Sequence, residues 1–214
     1  MAKPRAIISW SSGKESAWAL ERVRGEFEIA ALITTVDQNT GRVPFHNVPS
    51  ELIERQAQSM GIPLWIVPLP APCSNAEYLG RLAPLFARAV AAGARHIVFG
   101  DLFLNDIRQI RESSLAGTGL APVYPLWNLP TAALAKEMLD GGLRAIITCV
   151  DLKRLDADFA GGAFGHRALP PNVDACGENG EFHTFVTDGP MFGQPVEVRL
   201  GATRQDGNYA YAGL

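Results

Sequence analysis

The chain has 214 residues, of which 47% are hydrophobic and 19% are charged, and its formal net charge is −3. This balance is typical of a folded globular protein, and it argues against a disordered chain and against a broad nucleic-acid-binding surface. No apolar run is long enough for a signal peptide or a membrane span, so we expect a cytoplasmic protein without a membrane partner.

The first half of the chain alternates short apolar runs with amphipathic segments. Strands are predicted at 6–10, 29–36, 64–69 and 96–101, and helices at 14–24, 50–60, 77–92 and 105–115. We place the N-cap of the second helix at Ser50. Strands separated by helices form parallel sheets with right-handed crossovers. The sequence therefore predicts an α/β fold whose ligands bind beyond the carboxyl ends of the strands.

The second half of the chain has a different texture. A short strand at 123–127, a helix at 131–140 and a strand at 145–150 are predicted first. Residues 152–195 are rich in Gly, Pro and Asp and are predicted to be mostly loop, and a late strand follows at 196–200. A loop of this length is usually functional. We place a boundary near residue 122, which gives a larger domain at 1–122 and a smaller α+β domain at 123–214.

The segment between the first strand and the first helix predicts a phosphate site. Backbone N–H groups at a helix start, together with one lysine, suit a bound phosphate. The segment is not a Walker A loop, because Ile8 stands where its first glycine would be and Glu15 follows the lysine in place of Ser or Thr. The alternative is a plain strand–turn–helix with exposed serines. The residues predicted to bind phosphate are Ser11, Ser12, Gly13, Lys14, Glu15 and Ser16.

A second cluster follows the fourth strand. Asp101 ends that strand, and Arg108 and Arg111 are three residues apart on one face of the next helix, with Glu112 beside them. Two guanidinium groups on one face suit phosphate or carboxylate. The alternative, which the spacing alone favours, is a solvated helix with an ordinary salt bridge.

A third cluster packs acids, a cysteine and a histidine between glycines near the end of the chain. Carboxylates there could hold Mg²⁺ or act as acid and base groups. Cys176 and His183 could form a nucleophile pair if the fold brings them together. The alternative is a glycine-rich loop that leads into a strand with solvated charges, and the residues alone do not decide. The cluster consists of Asp174, Cys176, Gly177, Glu178, Glu181, His183, Thr184 and Asp188.

Together these segments resemble the diphthine–ammonia ligase family of PP-loop ATP pyrophosphatases. We call residues 11–16 the phosphate loop. It is similar to the S-G-G-K-D-S motif of that superfamily, with Ser12 and Glu15 in place of glycine and aspartate. The likeness continues through HNVP at 46–49, MGIP at 60–63, GD at 100–101, residues 108–112 and PLW at 125–127. It closes with CGE at 176–178, GEFHTF at 180–185 and DGP at 188–190, and this closing motif is specific to the family.

The resemblance implies a HUP-type nucleotide-binding domain and a family-specific domain, with the active site between them. It implies ATP and Mg²⁺ as cofactors, ammonium as a substrate and a carboxylate-bearing acceptor, such as a modified histidine on an elongation factor. The carboxylate would be adenylated with release of pyrophosphate, and ammonia would then displace AMP. On this interpretation the catalytic residues are Lys14, Glu178, Glu181 and His183. The nucleotide is bound by residues 11–16, Asp101, Arg108 and Arg111, and the substrate by Glu112, Asp174, Cys176, Gly177, Thr184 and Asp188.

Two other functions remain open. A PP-loop enzyme that modifies RNA would need a cysteine pair and a basic surface, and both the acidic balance and the spacing of Cys73, Cys149 and Cys176 disfavour it. A non-catalytic ATP-binding sensor would bind ATP without releasing pyrophosphate, and the acidic cluster near the end of the chain disfavours it mildly. No Cys/His set has zinc-ligand spacing, so no structural zinc is predicted, and the odd cysteine count fits a reducing compartment. Nucleic acid is not an expected partner, and the assembly state is left open, with a homodimer as one candidate.

Overall fold

The computed structural model describes residues 2–214. Five parallel strands form the larger sheet in the order β3-β2-β1-β4-β5. They are β1 (Arg5–Ser9), β2 (Glu28–Asp37), β3 (Leu64–Leu69), β4 (Ala94–Val98) and β5 (Ala121–Val123). The connecting helices are α1 (Lys14–Val23), α2 (Ser50–Met60), α3 (Asn75–Ala91) and α4 (Asn105–Leu115). The predicted α/β class with a parallel sheet is confirmed.

The central strand β1 shows why the apolar runs are continuous. Ala6, Ile7 and Ile8 are all fully buried. Ile8 packs into one hydrophobic cluster and Ile7 into another, because successive side chains of a strand point to opposite faces of the sheet. A sheet that is covered on both faces therefore needs apolar residues at every position of its inner strands.

The smaller sheet is antiparallel and has the order β7-β6-β9-β8. Helix α5 (Thr131–Asp140) precedes β6 (Arg144–Asp151), and a short 3₁₀ helix, Ala157–Phe159, follows it. The remaining strands are β7 (Phe182–Asp188), β8 (Gly201–Asp206) and β9 (Tyr209–Gly213). The predicted second region of mixed α and β structure is thus present, whereas a domain boundary near residue 122 stays a prediction.

Several local predictions were wrong. The strand predicted at 196–200 is irregular, and the final strands β8 and β9 come later. The strand predicted at 123–127 ends at Val123, and a turn at 125–128 follows because Pro125 has no N–H group to donate to a sheet. Strand β7 lies within the segment predicted to be mostly loop. Helix α2 has Pro49 as its N-cap residue, so Ser50 is the first helical residue and does not cap it.

A buried glutamine joins the two sheets beside the phosphate loop. The Gln56 side chain accepts a hydrogen bond from Trp10 Nε1 at 2.9 Å and donates to the carbonyls of Ser12 and Val186 at 3.2 and 2.7 Å. The N–H group of Val186 donates in turn to the Ser12 carbonyl at 3.0 Å. Strand β7 of the smaller sheet is therefore hydrogen-bonded directly to the loop that follows β1.

Candidate active site

The phosphate loop turns sharply between β1 and α1. Ser12 has a φ of +71°, in the left-handed region, and Gly13 is the N-cap residue of α1 in an extended conformation. The Ser16 hydroxyl donates to the Gly13 carbonyl at 2.9 Å and lies 3.2 Å from the Ser11 hydroxyl. The N–H group of Lys14 donates to Thr184 Oγ1 at 3.1 Å. Hydrogen bonds within the loop, together with the hydrogen bond to β7, therefore hold the loop in place.

The Lys14 side chain is a buried cation, with only 1% of its surface exposed. Its Nζ lies 2.6 Å from Glu15 Oε1. It also lies 4.6 Å from the centre of the Phe182 ring and 5.2 Å from that of Phe164, so two aromatic faces support the charge. These contacts fix the ammonium group at the start of α1, where a helix N-terminus already favours anions.

A cleft of about 330 Å³ opens over this lysine. It brings together the phosphate loop, the polar end of β4, helix α4 and the cluster near the end of the chain, which the sequence had placed far apart. The side chains of several predicted site residues therefore share one space. Those that line it are Ser11, Lys14, Glu15, Ser16, Asp101, Arg111, Cys176, Gly177, Glu178 and His183.

The two arginines of α4 have different environments. Arg111 lines the cleft, 3.3 Å from Asp101 Oδ2 and 3.4 Å from the hydroxyl of Tyr78. Arg108 is bonded to Glu112 at 2.7 Å, and its guanidinium lies over the rings of Tyr124 and Trp127 instead. Neither Arg108 nor Glu112 lines the cleft. Only one of the two guanidinium groups expected on a common face is therefore available there.

Two acids of the final cluster stabilise the loop at residues 174–181 to which they belong. Asp174 accepts hydrogen bonds from Thr131 Oγ1 and from the N–H groups of Cys176 and Glu178. Glu181, 1% exposed, accepts from the N–H groups of Asp174 and Asn179 and from the Asn179 side chain. Neither carboxylate lines the cleft. Of the acids in this cluster, only Glu178 lines the cleft.

Glu178 is the acid that reaches the cleft. Its Oε1 accepts a hydrogen bond from the N–H group of Leu102 at 2.8 Å. Burial, reinforced by the negative charges of Glu15 and Asp101, raises the pKa of Glu178 to about 7. Near neutral pH this carboxyl group can therefore take up or release a proton.

Cys176 does not form the predicted nucleophile pair. Its thiol is buried and lies 3.5 Å from the carbonyl of Thr131. Burial, together with the negative charge of Glu15, raises the pKa of Cys176 to about 12, so the group is a neutral thiol near pH 7. Across residues 2–214, no hydrogen bond joins it to His183.

The structure adds His46, the first residue of the HNVP segment, to the lining of the cleft. His46 lies beside His183, with 4.7 Å between the ring centres, and its Nδ1 is 3.0 Å from the Thr184 carbonyl. Because a carbonyl only accepts, Nδ1 carries the proton and Nε2 is free to accept one. Burial lowers the pKa of His46 to about 4 and that of His183 well below 6.5, so both rings are neutral. The HNVP segment was the signal in the sequence.

A second cavity, of about 370 Å³, adjoins the cleft at the carboxyl ends of the parallel strands. Ser11, His46 and Arg111 line both spaces. The walls of the second cavity are mostly apolar, but the buried hydroxyl of Thr34 lines it without a hydrogen-bond partner. The two cavities together form an elongated site, polar at one end and apolar at the other.

The remaining predicted residues have supporting positions or lie outside the cleft. Ser12 and Gly13 shape the phosphate loop, Thr184 holds the Lys14 N–H group, and Asp188 accepts from the N–H group of Gly189. In residues 2–214 no group of three or more His, Cys, Asp or Glu side chains is arranged to hold a metal ion by itself. None of the helices in that range has the length and apolar character that a membrane span requires.

Comparisons with known proteins agree with the motifs. Residues 4–121 match the model of the diphthamide synthase N-terminal domain, and residues 130–212 match that of the diphthamide synthase C-terminal domain. Among curated relatives, the diphthine–ammonia ligase of Danio rerio is 31% identical over 118 residues, which are 51% of this chain and 46% of that protein. The Homo sapiens enzyme of the same name is 31% identical over 104 residues, 44% of this chain and 39% of that one.

The matched segment thus spans less than half of the length of either relative. A solved structure, a predicted subunit of a tRNA methyltransferase from Methanocaldococcus jannaschii, covers 69% of this chain and 78% of its own, with a TM-score of 0.42 and 14% identity. That likeness is too weak to carry an argument. The two family models cover most of the chain, and the chain therefore belongs to the diphthamide synthase family, the family that its sequence motifs predicted.

Proposed function

We propose that the chain is an ATP-dependent ligase that adenylates a substrate carboxylate, releases pyrophosphate and then forms an amide with ammonia. The observation that carries the proposal is the cleft that joins buried Lys14, at the start of α1, to Glu178 in the closing motif of the family. Membership in a family whose relatives are named diphthine–ammonia ligases supports the same chemistry.

The elongated site suits a nucleotide. The triphosphate would lie in the cleft, where Lys14, Arg111 and the start of α1 supply positive charge and N–H groups. The adenosine would lie in the neighbouring apolar cavity, where the unpartnered hydroxyl of Thr34 can meet one of its polar atoms. ATP in this position has its α phosphate between the two cavities, beside His46.

The carboxylates of the cleft fit a magnesium ion that arrives with the nucleotide. Mg²⁺ is usually bound by one or two carboxylates together with phosphate oxygens, so the protein needs no complete set of ligands of its own. Glu15 and Asp101 line the cleft and are the carboxylates that would hold the ion. A bound Mg²⁺ would supply positive charge that offsets the negative charge of the leaving pyrophosphate.

The residues of the chain can serve both steps of the reaction. In the first, an oxygen of the substrate carboxylate attacks the α phosphorus, and the bond to the β phosphate breaks to release pyrophosphate. Lys14 offsets the charge on the phosphates. In the second, the nitrogen of ammonia attacks the acyl carbon, and the bond to AMP breaks. Ammonium must first lose a proton, and Glu178, with a pKa near 7, is placed to accept it.

We propose different roles for the other two predicted catalytic residues. Glu181 is a positioning residue, because its carboxylate binds the N–H groups that shape the loop carrying Glu178. His183, neutral and next to His46, contributes an uncharged imidazole to the wall between the phosphates and the acceptor. Both proposals keep the residues in the site but give direct proton transfer to Glu178.

The products of ATP turnover test the proposed function. Purified protein is given Mg-ATP, ammonium chloride and a panel of carboxylic acids, and AMP, ADP, pyrophosphate and phosphate are measured. We expect AMP and pyrophosphate, and we expect Lys14→Gln to lower the rate by about 100-fold or more because it removes a charge from the transition state. Lys136→Gln is the matched control, since Lys136 lies on the surface of α5, away from the cleft, and pairs with Asp140.

Two results would count against the proposal. ADP and phosphate as products would exclude adenylation. Wild-type ATP affinity in a folded Lys14→Gln protein would exclude the phosphate loop as the triphosphate site. ATP binding without either pair of products would indicate the ATP-binding sensor instead.

A further inference from the structure

A third cavity, of about 300 Å³, adjoins the cleft on the side of the antiparallel sheet. Phe45, Glu178 and His183 line both spaces, so a ligand in one would lie directly beside a ligand in the other. The volume is at the low end of the range for small-molecule sites. We call this cavity the aromatic pocket. It is lined by Phe45, Leu104, Cys149, Glu178, Asn179, Gly180, His183, Tyr209 and Tyr211.

Rings from both halves of the chain form the pocket. Tyr209 and Tyr211 are two residues apart on β9 and therefore point to the same face of the sheet, with 6.2 Å between ring centres. Phe45 lies 6.2 Å from His183 and is 72% exposed. Its backbone has a φ of +63°, which a bulky residue rarely adopts and which is often found at functional sites. At the opening of the pocket, the exposed Phe45 ring is therefore carried by a backbone in an unfavourable conformation.

The pocket offers no positive charge to a ligand. No lysine or arginine of residues 2–214 lines it, and the His183 ring is neutral because burial keeps its pKa low. The Cys149 thiol is neutral as well, since burial raises its pKa to about 12. Tyr209, Tyr211 and Asn179 offer a ligand only uncharged donors, and an ionised Glu178 carboxylate would repel a second carboxylate. The cations that attract a carboxylate, Lys14 and Arg111, lie across the shared wall in the cleft.

We propose that the aromatic pocket holds the ring of the acceptor, an aromatic carboxylic acid of small-molecule size, whose carboxylate extends past His183 into the cleft. The aromatic faces recognise the ring by stacking, and the lack of cations in the pocket orients the acid with its carboxylate towards the nucleotide. The assignment of this ligand as the acceptor rests on the proposed ligase function, whereas its binding does not.

The test measures binding directly. Saturation-transfer NMR with 3-phenylpropionate and hexanoate, in the presence of a non-hydrolysable ATP analogue, compares a ring with an aliphatic chain on the same carboxylate. We expect 3-phenylpropionate to bind more tightly. Tyr209→Ala should weaken its binding about 2- to 10-fold, the effect of losing one aromatic pair. Leu200→Ala, which also truncates an exposed apolar side chain but lies outside the pocket, should leave binding unchanged.

A blocking variant completes the test. Leu104→Trp should abolish 3-phenylpropionate binding by filling the pocket, while the affinity for the ATP analogue stays the same. Undetectable binding of 3-phenylpropionate to the wild-type protein, binding equal to that of hexanoate, or unchanged binding to Tyr209→Ala would each overturn the proposal. Tyr209 is 38% exposed, so its variant remains informative if Leu104→Trp does not fold. Failure of the ligase proposal would appear separately, as ADP among the products or as unchanged ATP affinity in Lys14→Gln.

Discussion

Replacement of Glu178 by glutamine should make the protein more stable above neutral pH although it removes a residue of the proposed site. The carboxyl group is held in the cleft by the Leu102 N–H group and lies near the negative charges of Glu15 and Asp101. Glutamine keeps the Oε1 atom that accepts the Leu102 hydrogen bond, but it carries no charge at any pH. The substitution therefore isolates the cost of ionising this buried group.

The magnitude follows from the pKa. Burial and the neighbouring acids raise the pKa of Glu178 from 4.5 to about 7 in the folded protein. Each unit by which the pKa differs between the folded and unfolded states corresponds to about 1.4 kcal/mol in the free energy of unfolding. The full effect of ionising Glu178 is therefore about 3 kcal/mol. Between pH 4.5 and 7 the folded state binds more protons than the unfolded state, and its stability falls as the pH rises. The glutamine variant should match the wild type near pH 4.5 and exceed it by up to about 3 kcal/mol near pH 8.

Urea unfolding of both proteins from about pH 5 to about pH 8 measures this difference. His46 and His183 destabilise both proteins as the pH falls below about 6.5, because their pKa values are lowered in the folded state, so this effect cancels in the comparison. Glu197→Gln, on the surface, controls for the loss of one negative charge. Turnover of Glu178→Gln should fall by about 100-fold or more. A stability difference that stays constant over this pH range would refute the electrostatic reasoning.

Three further variants or reactions test the packing around the site. Gly100→Ala should destabilise the protein by about 1–3 kcal/mol and weaken ATP binding, because the added Cβ would lie 2.7 Å from the backbone of α1. Gly25→Ala, with open space around it, is the control, and equal melting temperatures for the two variants would contradict the prediction. Gln56→Leu should cost about 2–4 kcal/mol because it removes one donor each from the Ser12 and Val186 carbonyls and the acceptor of the Trp10 Nε1–H group. Exposed Gln58→Leu should cost little, and similar urea midpoints for the two variants would argue against this role. A thiol reagent near pH 7 should modify Cys73 alone in the folded protein and all three cysteines after unfolding. The reason is that burial raises the pKa of Cys149 and of Cys176 to about 12 in the folded protein. Peptide mapping that finds Cys149 or Cys176 modified in the folded protein would contradict this prediction.

The parallel sheet could be predicted because its sequence signal is local. The three fully buried residues of β1 form an uninterrupted apolar run, and Gly61, in the left-handed region, ends α2 directly after the predicted helix. The final strands could not be predicted in the same way. All six residues of β8 are exposed, so no alternation of polar and apolar side chains marks that strand. Its pairing with β9 is visible only in three dimensions.

The segment predicted as a late strand shows the opposite error. Val196 is buried and its N–H group donates to the carbonyl of Thr187, yet the residues around it form no ladder. An apolar run packs against the core in either conformation. The run alone therefore indicates burial and does not distinguish a strand from an irregular segment.

The acidic cluster shows that sequence composition marks an unusual segment without giving the role of each residue in it. Crowding among glycines indicates a segment with irregular backbone. Gly177 and Gly180 both have positive φ, and the tight turn they form leaves backbone N–H groups that need acceptors. Asp174 and Glu181 supply those acceptors, which leaves Glu178 to face the cleft. Sequence spacing cannot tell these two uses of a carboxylate apart.

Ser12 shows how distant contacts override a local rule at the centre of the site. The similar S-G-G-K-D-S motif has glycine here, and a serine at a φ of +71° costs about 1 kcal/mol or more. The Ser12 carbonyl accepts hydrogen bonds from the Val186 N–H group and from Gln56, each contributing about 1 kcal/mol. These contacts offset the strain, and one of them comes from β7 at the other end of the chain. The phosphate loop therefore keeps its shape through the smaller sheet, and the two parts of the family's sequence pattern, the loop and the closing motif, are two sides of one hydrogen-bonded structure.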